Sequence, residues 1–503
     1  MSSAALPARG PARGSFRRPA GGPGPSAIRE GARHWLPGST LVVALDLACA
    51  YVAFDRGSVE IVVGAVVGLE MLALCVFRPR ASLIAFTAVW GVVHVLLSNG
   101  EVEGSGGAGA SISKLVGVTV VVGFGIAVAR LRAERGSQPL LFPLKAFVVF
   151  VCMYGIAEVI TPYHSAGLSD LVKVAGGLVL ALVAYYVIDN EGPLLRLALA
   201  AGIAGTAVAG VALLQSIFGL EVGVAAAYPG SSGVFRATSL TGSANGTADF
   251  LLVCAGFMLL RYTLQRERRR ARLDLAILCV VCFGVVVTFT RADIIALFVM
   301  FAIWASVWQL RSVSAFALRA RLVLTLAAVA LAVVQLVGGT AIESRLEGRL
   351  TLTSKAHLLN GREEIWSGEL RKLESASLNT ILIGNGAHTS YTSVYVPQAE
   401  RYHEFAPHDL FLWLLIETGL IGLLVYVSAL TGLCREFLTA ARRRRFTPSG
   451  CIGAVALATT IAFTLDSMFH NTQVSSGSYW YFMLFAGAAL SVLRSRAATE
   501  SDR

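Results

Sequence analysis

Two arginines and one histidine stand where this sequence has least reason to place them. Arg236 lies in a Gly/Ser-rich stretch, Tyr228-Pro-Gly-Ser-Ser-Gly-Val-Phe-Arg236, between two apolar runs; Arg291 sits in Thr288-Phe-Thr-Arg291-Ala-Asp293 with almost no loop around it. A guanidinium is a planar fork of N–H donors that matches phosphate or carboxylate oxygens two at a time. Two such forks suit a pyrophosphate. The plainer uses are a lipid headgroup contact or, for Arg291, a pair with Asp293. His408 follows Pro407 at the head of an apolar run, where a neutral imidazole can take a proton near pH 7; its plainer use is as a polar anchor at a membrane surface. Asp409 either orients that imidazole or caps the helix. Glu417, about 13 Å further along the helix, falls inside the bilayer and needs a partner. His388, Tyr402, His403, Asp466, His470 and Asn471 are weaker candidates near the same end. Nothing in their spacing specifies a metal site, and no cofactor is expected.

The elements that must position these groups are membrane helices. The chain has 503 residues, 55% of them hydrophobic and 15% charged, with a mean hydropathy of +0.67. A soluble domain cannot hide that much apolar surface, whereas a bilayer accepts it. The formal charge is +11. Its basic residues fall in short clusters between apolar runs, which fits loops at an anionic membrane surface and not a nucleic-acid face. At about 20 apolar residues per crossing, the sequence predicts an all-α polytopic membrane protein with about fourteen transmembrane helices. They are expected over 38–55, 58–77, 81–98, 112–130, 140–160, 168–188, 194–219, 246–264, 273–290, 292–310, 321–338, 409–433, 450–469 and 478–494.

This gives a basic, disordered cytoplasmic tail (1–37), a bundle of about eleven helices (38–338), a long extracytoplasmic loop (339–407), about three further helices (408–494) and a second cytoplasmic tail (495–503). Arg78/Arg80, Arg130/Arg132/Arg135, Arg196, Arg261 to Arg272, Arg311/Arg319/Arg321, Arg435 with Arg442 to Arg445, and Arg494/Arg496 then all fall inside. That agrees with the positive-inside rule and puts Arg236, Arg291 and His408 on the outer face. The 8 cysteines lie in apolar runs or beside basic loops, so no disulfide framework is expected. Within the loop, Asn360-Gly-Arg362-Glu363 reads as a helix start, and Ile365, Trp366, Leu370 and Leu373 recur at helical spacing, so the loop should carry an amphipathic helix. Ile383-Gly-Asn-Gly386 reads as a tight turn.

Taken in order, these stretches resemble the O-antigen ligase and O-antigen polymerase superfamily of bacterial envelope proteins. Gly361-Arg362-Glu-Glu-Ile365-Trp366 is similar to its Gly-Arg-x-x-Ile-Trp signature, and Gly384-x-Gly386 to the Gly-x-Gly that follows. His408-Asp409-x-x-Leu412 and Glu417-x-Gly419-x-x-Gly422 resemble its His-Asn-x-x-Leu and Glu-x-Gly-x-x-Gly run, and Thr290-Arg291-Ala292 its Ser-Arg-Gly. Arg236, with Asn245 nine residues on, resembles its outer-loop arginine. The likeness covers residues 230–430, with Asp409 in place of Asn and Ala292 in place of Gly.

The resemblance implies a metal-independent glycosyltransferase in the bacterial cytoplasmic membrane. Its donor would be a polyprenyl-pyrophosphate-linked glycan. Arg236 and Arg291 would hold the pyrophosphate, His408 would take the proton of the acceptor hydroxyl, and Arg362, Asp409 and Glu417 would support them. A ligase passes the glycan to a lipid or protein; a polymerase passes it to another lipid-linked glycan. The spans in excess of the ligase pattern lean towards a polymerase. A lipid-linked oligosaccharide flippase is the alternative from another class, and should carry its cations at mid-membrane and need no ordered outer loop. A non-catalytic envelope scaffold is the third reading, under which His408 is dispensable.

Overall fold

In the computed structural model the chain divides into two compact units, Met1–Val66 and Val67–Arg503. The structure describes residues 69–98, 108–134, 139–218, 237–307, 362–396, 401–444, 447–470 and 476–501, less positions 71, 242 and 406. All of these belong to the second unit. The basic tail, the expected spans 38–55 and 321–338, most of 58–77, and much of the 339–407 loop lie outside the described residues.

The elements are helices almost throughout. They are α1 (Pro79–Ser98), α2 (Ala108–Glu134), α3 (Phe142–Ile160), α4 (His164–Val187), α5 (Glu191–Phe218), α6 (Ala244–Leu264), α7 (Arg268–Val287) and α8 (Arg291–Val307). Two shorter ones follow, α9 (Arg362–Glu374) and α10 (Leu378–Ile383), then α11 (Leu410–Arg443), α12 (Pro448–Ser467) and α13 (Ser476–Ser501). Among the described residues the departure from helix is a hairpin, β1 (Thr392–Val396) antiparallel to β2 (Arg401–Phe405), with Thr392 opposite Phe405 and Val396 opposite Arg401. Six of the described helices, α3, α4, α5, α6, α11 and α12, are long and apolar enough to cross a membrane. The protein is therefore a multi-pass helical membrane protein, with six such crossings described against the about fourteen expected from apolar run length.

Local chemistry sets where the helices begin. Ser243 accepts from the Gly246 N–H ahead of α6, and Thr447 from the Gly450 N–H ahead of α12, each satisfying an amide that the first turn leaves open. Pro143 and Pro448 sit in the first turns of α3 and α12, where a missing N–H does no harm. Along α3, Phe147, Phe150, Tyr154 and Ala157 are buried while Phe142, Val149 and Ile156, seven apart, are exposed. One helix thus shows an aromatic seam to its neighbours and an apolar stripe outward, as a helix facing lipid does.

The helices α6 and α12 are buried over most of their circumference and form the centre of the bundle. Around them α4 packs along α13, α8 along α12, and α3 along α11. The α4–α13 approach is close: a Cβ on Gly487 would come within 2.1 Å of the Ala181 carbonyl oxygen, so only glycine fits the crossing. At the end where α6 turns into α7, Arg261 pairs with Asp274 at 2.8 Å and also donates to the Leu195 carbonyl.

Candidate active site

His408 sits in the turn that feeds α11. Asp409 caps that helix, its Oδ1 accepting from the N–H groups of Phe411 (2.8 Å) and Leu412 (3.0 Å). Capping is thus one use that Asp409 serves. His408 itself is half-buried and has φ 51°, in the left-handed region that costs a non-glycine residue about 1–2 kcal/mol. Such a conformation persists only where its surroundings hold it. The capping carboxylate holds one flank. On the other, the Trp366 indole N–H donates to the Pro407 carbonyl at 2.7 Å. The tryptophan of the Gly-Arg-x-x-Ile-Trp stretch therefore fixes the residue next to the candidate base. Ile365 packs inward beside it and is buried.

The same short helix is stitched down by Lys372. Its Nζ is 2.9 Å from Glu369 Oε1 and donates to the carbonyls of Tyr391 (2.9 Å) and Thr389 (3.3 Å). Burial raises the Glu369 carboxyl above its usual range, and the Lys372 ammonium opposes that rise.

The Gly384-x-Gly386 turn docks on a break in α11. Gly419 has φ 67° and ψ −175° inside that helix. The Ile416 carbonyl accepts from the Asn385 N–H (2.8 Å), and the Glu417 carbonyl from the Gly386 N–H (3.2 Å). Neither surface tolerates a side chain: a Cβ on Gly384 would lie 2.2 Å from the Glu417 carbonyl oxygen, and one on Gly419 would lie 2.3 Å from that of Leu382. The partners that Glu417 needs are hydroxyls. Tyr154 donates to its Oε2 and Ser390 to its Oε1, both at 2.7 Å. One turn of chain away, His388 Nδ1 is 3.1 Å from Asp170 Oδ2, whose Oδ1 takes the Lys173 ammonium at 3.0 Å. The His388 ring lies 4.1 Å from that of Tyr391. Its hydrogen bond with Asp170 raises the imidazole above its ordinary pKa, against the effect of burial.

Arg291 is the first residue of α8 and is half-buried. The turn before it is fixed by hydroxyls: Thr288 Oγ1 donates to Thr290 Oγ1 at 3.0 Å, with Phe289 between them at φ 52°. Two positions after Arg291, Asp293 enters a buried group with Asp249, Asp466 and His470, drawn from α6, α12 and the turn after α12. The consecutive helices α11 and α12 run antiparallel through a short connection, so His408 and this group lie towards the same end of the bundle. Arg236 and the side chain of Arg362 lie outside the described residues, as do Asn471 and the side chains of Tyr402 and His403.

Among the described residues, the non-glycine positions with positive φ are Ser239, Phe289, His388 and His408. Each falls in a stretch that carries or flanks a candidate group, which is where stored backbone strain is most often found. Sequence reasoning missed Tyr154, Asp170, Asp249 and Ser390. The available signal was an acidic residue inside an apolar span, which applies to Asp170 and Asp249. Residues 275–427 match the family model described as O-antigen ligase. That region takes in Arg291, Arg362, His408, Asp409 and Glu417, and it lends nothing to the flippase alternative. No curated protein matches the chain.

Proposed function

From the O-antigen ligase family region that this chain carries, we propose that it transfers a glycan from a polyprenyl-pyrophosphate donor to an acceptor hydroxyl. The reaction takes place at the outer face of the bacterial cytoplasmic membrane, with both termini inside. The observation that carries this reading is the family match over residues 275–427, which holds Arg291, Arg362, His408, Asp409 and Glu417 within one segment.

His408 is the base. Its imidazole takes the proton of the acceptor hydroxyl as that oxygen attacks the anomeric carbon. The bond from that carbon to the pyrophosphate oxygen breaks, and the polyprenyl pyrophosphate leaves. Arg291 and Arg236 meet the charge that develops on the leaving group with preorganised N–H donors. These guanidinium groups do what a metal would otherwise do, so the chemical step is metal-independent. Arg362 supports the donor site from the head of α9. Asp409 acts through the helix cap that sets the His408 turn, and Glu417 through the loop it anchors. Holding donor and acceptor together beside the membrane supplies proximity. The acceptor is a lipid-linked glycan for a polymerase and a lipid or protein for a ligase.

Purified protein given a defined polyprenyl-pyrophosphate glycan, with and without candidate acceptors, tests both the donor and the subtype. His408→Ala and Arg291→Lys should each abolish product while the protein inserts and folds normally. Lysine keeps the charge and loses the fork, so full activity in Arg291→Lys would overturn bidentate phosphate binding. Full activity in His408→Ala would return the chain to a non-catalytic role.

A further inference from the structure

The side chains around Asp293 form a donor set that the transfer reaction does not use. Asp249, Asp293, Asp466 and His470 each offer one ligand atom, and those atoms all lie within 4.8 Å of one another. All four residues are buried, Asp293 and Asp466 completely so. His470 Nδ1 stands 2.9 Å from Asp249 Oδ1, 2.9 Å from Asp466 Oδ1 and 3.7 Å from Asp293 Oδ2. Apart from that imidazole, no donor among the described residues reaches Asp249 Oδ1, Asp466 Oδ2 or either oxygen of Asp293. Glu417, by contrast, is a buried carboxylate with both oxygens hydrogen-bonded.

Three carboxylates cannot stay ionised together in a dry interior without positive charge between them, from protons or from a cation. A single ring nitrogen carries at most one proton, yet this one is equally close to two carboxylates. A spacing of 2.9 Å between neighbouring donor atoms is also the edge of an octahedron whose metal–ligand bonds are about 2.1 Å long. We propose that Asp249, Asp293, Asp466 and His470 bind a divalent cation that ties together the ends of α6, α8 and α12. Three carboxylates favour a hard ion, and the imidazole shifts the choice away from calcium and magnesium towards manganese. The ion acts as a staple beside Arg291 and takes no part at the reacting atoms. It stands or falls independently of the transferase reading.

The test uses the full-length protein in detergent, stripped with a chelator and titrated with Mn2+ under electron paramagnetic resonance. Wild type should take up one Mn2+ per chain, and its melting temperature should rise as the ion binds. Asp293→Asn and His470→Gln each remove a ligand, and each should weaken binding by more than about 100-fold, beyond what loss of an outer-shell partner costs. Asp293→Asn also removes a buried charge, so without metal it should melt at or above the wild-type temperature. If either variant fails to fold, the other carries the comparison. The proposal is overturned if wild type binds no stoichiometric Mn2+, or if both folded variants bind it as wild type does. A wild type that ignores Mn2+ while Asp293→Asn melts higher would show that shared protons neutralise the carboxylates.

Discussion

Two buried groups in this molecule use the same side-chain chemistry and are finished differently. Around His388, each oxygen of Glu417 and Asp170 has a partner: Tyr154 and Ser390 for the first, Lys173 and His388 for the second. Around Asp293, the His470 imidazole serves Asp466 Oδ1, and both Asp293 oxygens are left with no donor among the described residues. The first arrangement has the character of a joint. It pins the 384–391 turn against α3, α4 and α11, and nothing in it is left over to hold a ligand. The second is unfinished by protein alone, which is the mark of a site for something else. A histidine beside carboxylates is therefore not a site by its composition. What decides is whether the lone pairs are already occupied.

The sharpest way to break this contrast is Glu417→Ala. It strands the Tyr154 and Ser390 hydroxyls in the interior, at about 1–3 kcal/mol each, a large share of the 5–15 kcal/mol that typically holds a domain together. A steep fall in melting temperature is expected, whereas Asp293→Asn measured without metal should show none. Equal losses for the two would erase the distinction between a joint and an open site.

Next in size is Gly384→Ala. At φ 88°, with the Glu417 carbonyl 2.2 Å from where Cβ would sit, it should cost at least about 1–3 kcal/mol. Gly155→Ala, in a helix and with nothing within 4 Å, serves as its control and should gain about 0.5–1 kcal/mol. If both melt alike, the turn is not docked as described. A smaller effect is expected of Trp366→Phe, which keeps a ring but loses the hydrogen bond to Pro407, worth about 0.5–1.5 kcal/mol. Its expression should be a severalfold fall in kcat with little change in KM, because it loosens the turn holding His408. An equal rise in KM would place Trp366 at the substrate instead.

How much of this was legible in the sequence depends on the range of the cause. Helix positions follow from local apolar runs, so 246–264 and 292–310 were expected where Ala244–Leu264 and Arg291–Val307 are found. The end of α11 was missed because Cys434 to Arg443 is amphipathic and mixed, and hydropathy stops at 433 while the helix continues. The pairing of Trp366 with Pro407 and of Gly384 with Glu417 joins motifs that sequence order only lists. The group around Asp293 was hidden most deeply. Its members come from three helices far apart in the chain, and Asp249 reads alone as an oddity in an apolar run.

The finest test of the contrast is a pH dependence confined to the joint. His388 in the folded protein has a pKa above its ordinary value because Asp170 accepts its hydrogen bond, with burial opposing. The sign follows from linkage. A raised folded pKa contributes stability that is fully present below the unfolded value, about 6.5, and is lost as pH rises through the folded value. Asp170→Asn keeps the shape and removes the charge, leaving burial less opposed, so the imidazole should titrate lower. Wild type should therefore exceed Asp170→Asn in melting temperature by most at about pH 6, with the gap narrowing towards about pH 9. His388→Gln should flatten the same slope, since it removes the titrating group itself. A gap that stays constant across that window would mean Asp170 matters for packing or for Lys173 alone, and that His388 is no part of the joint.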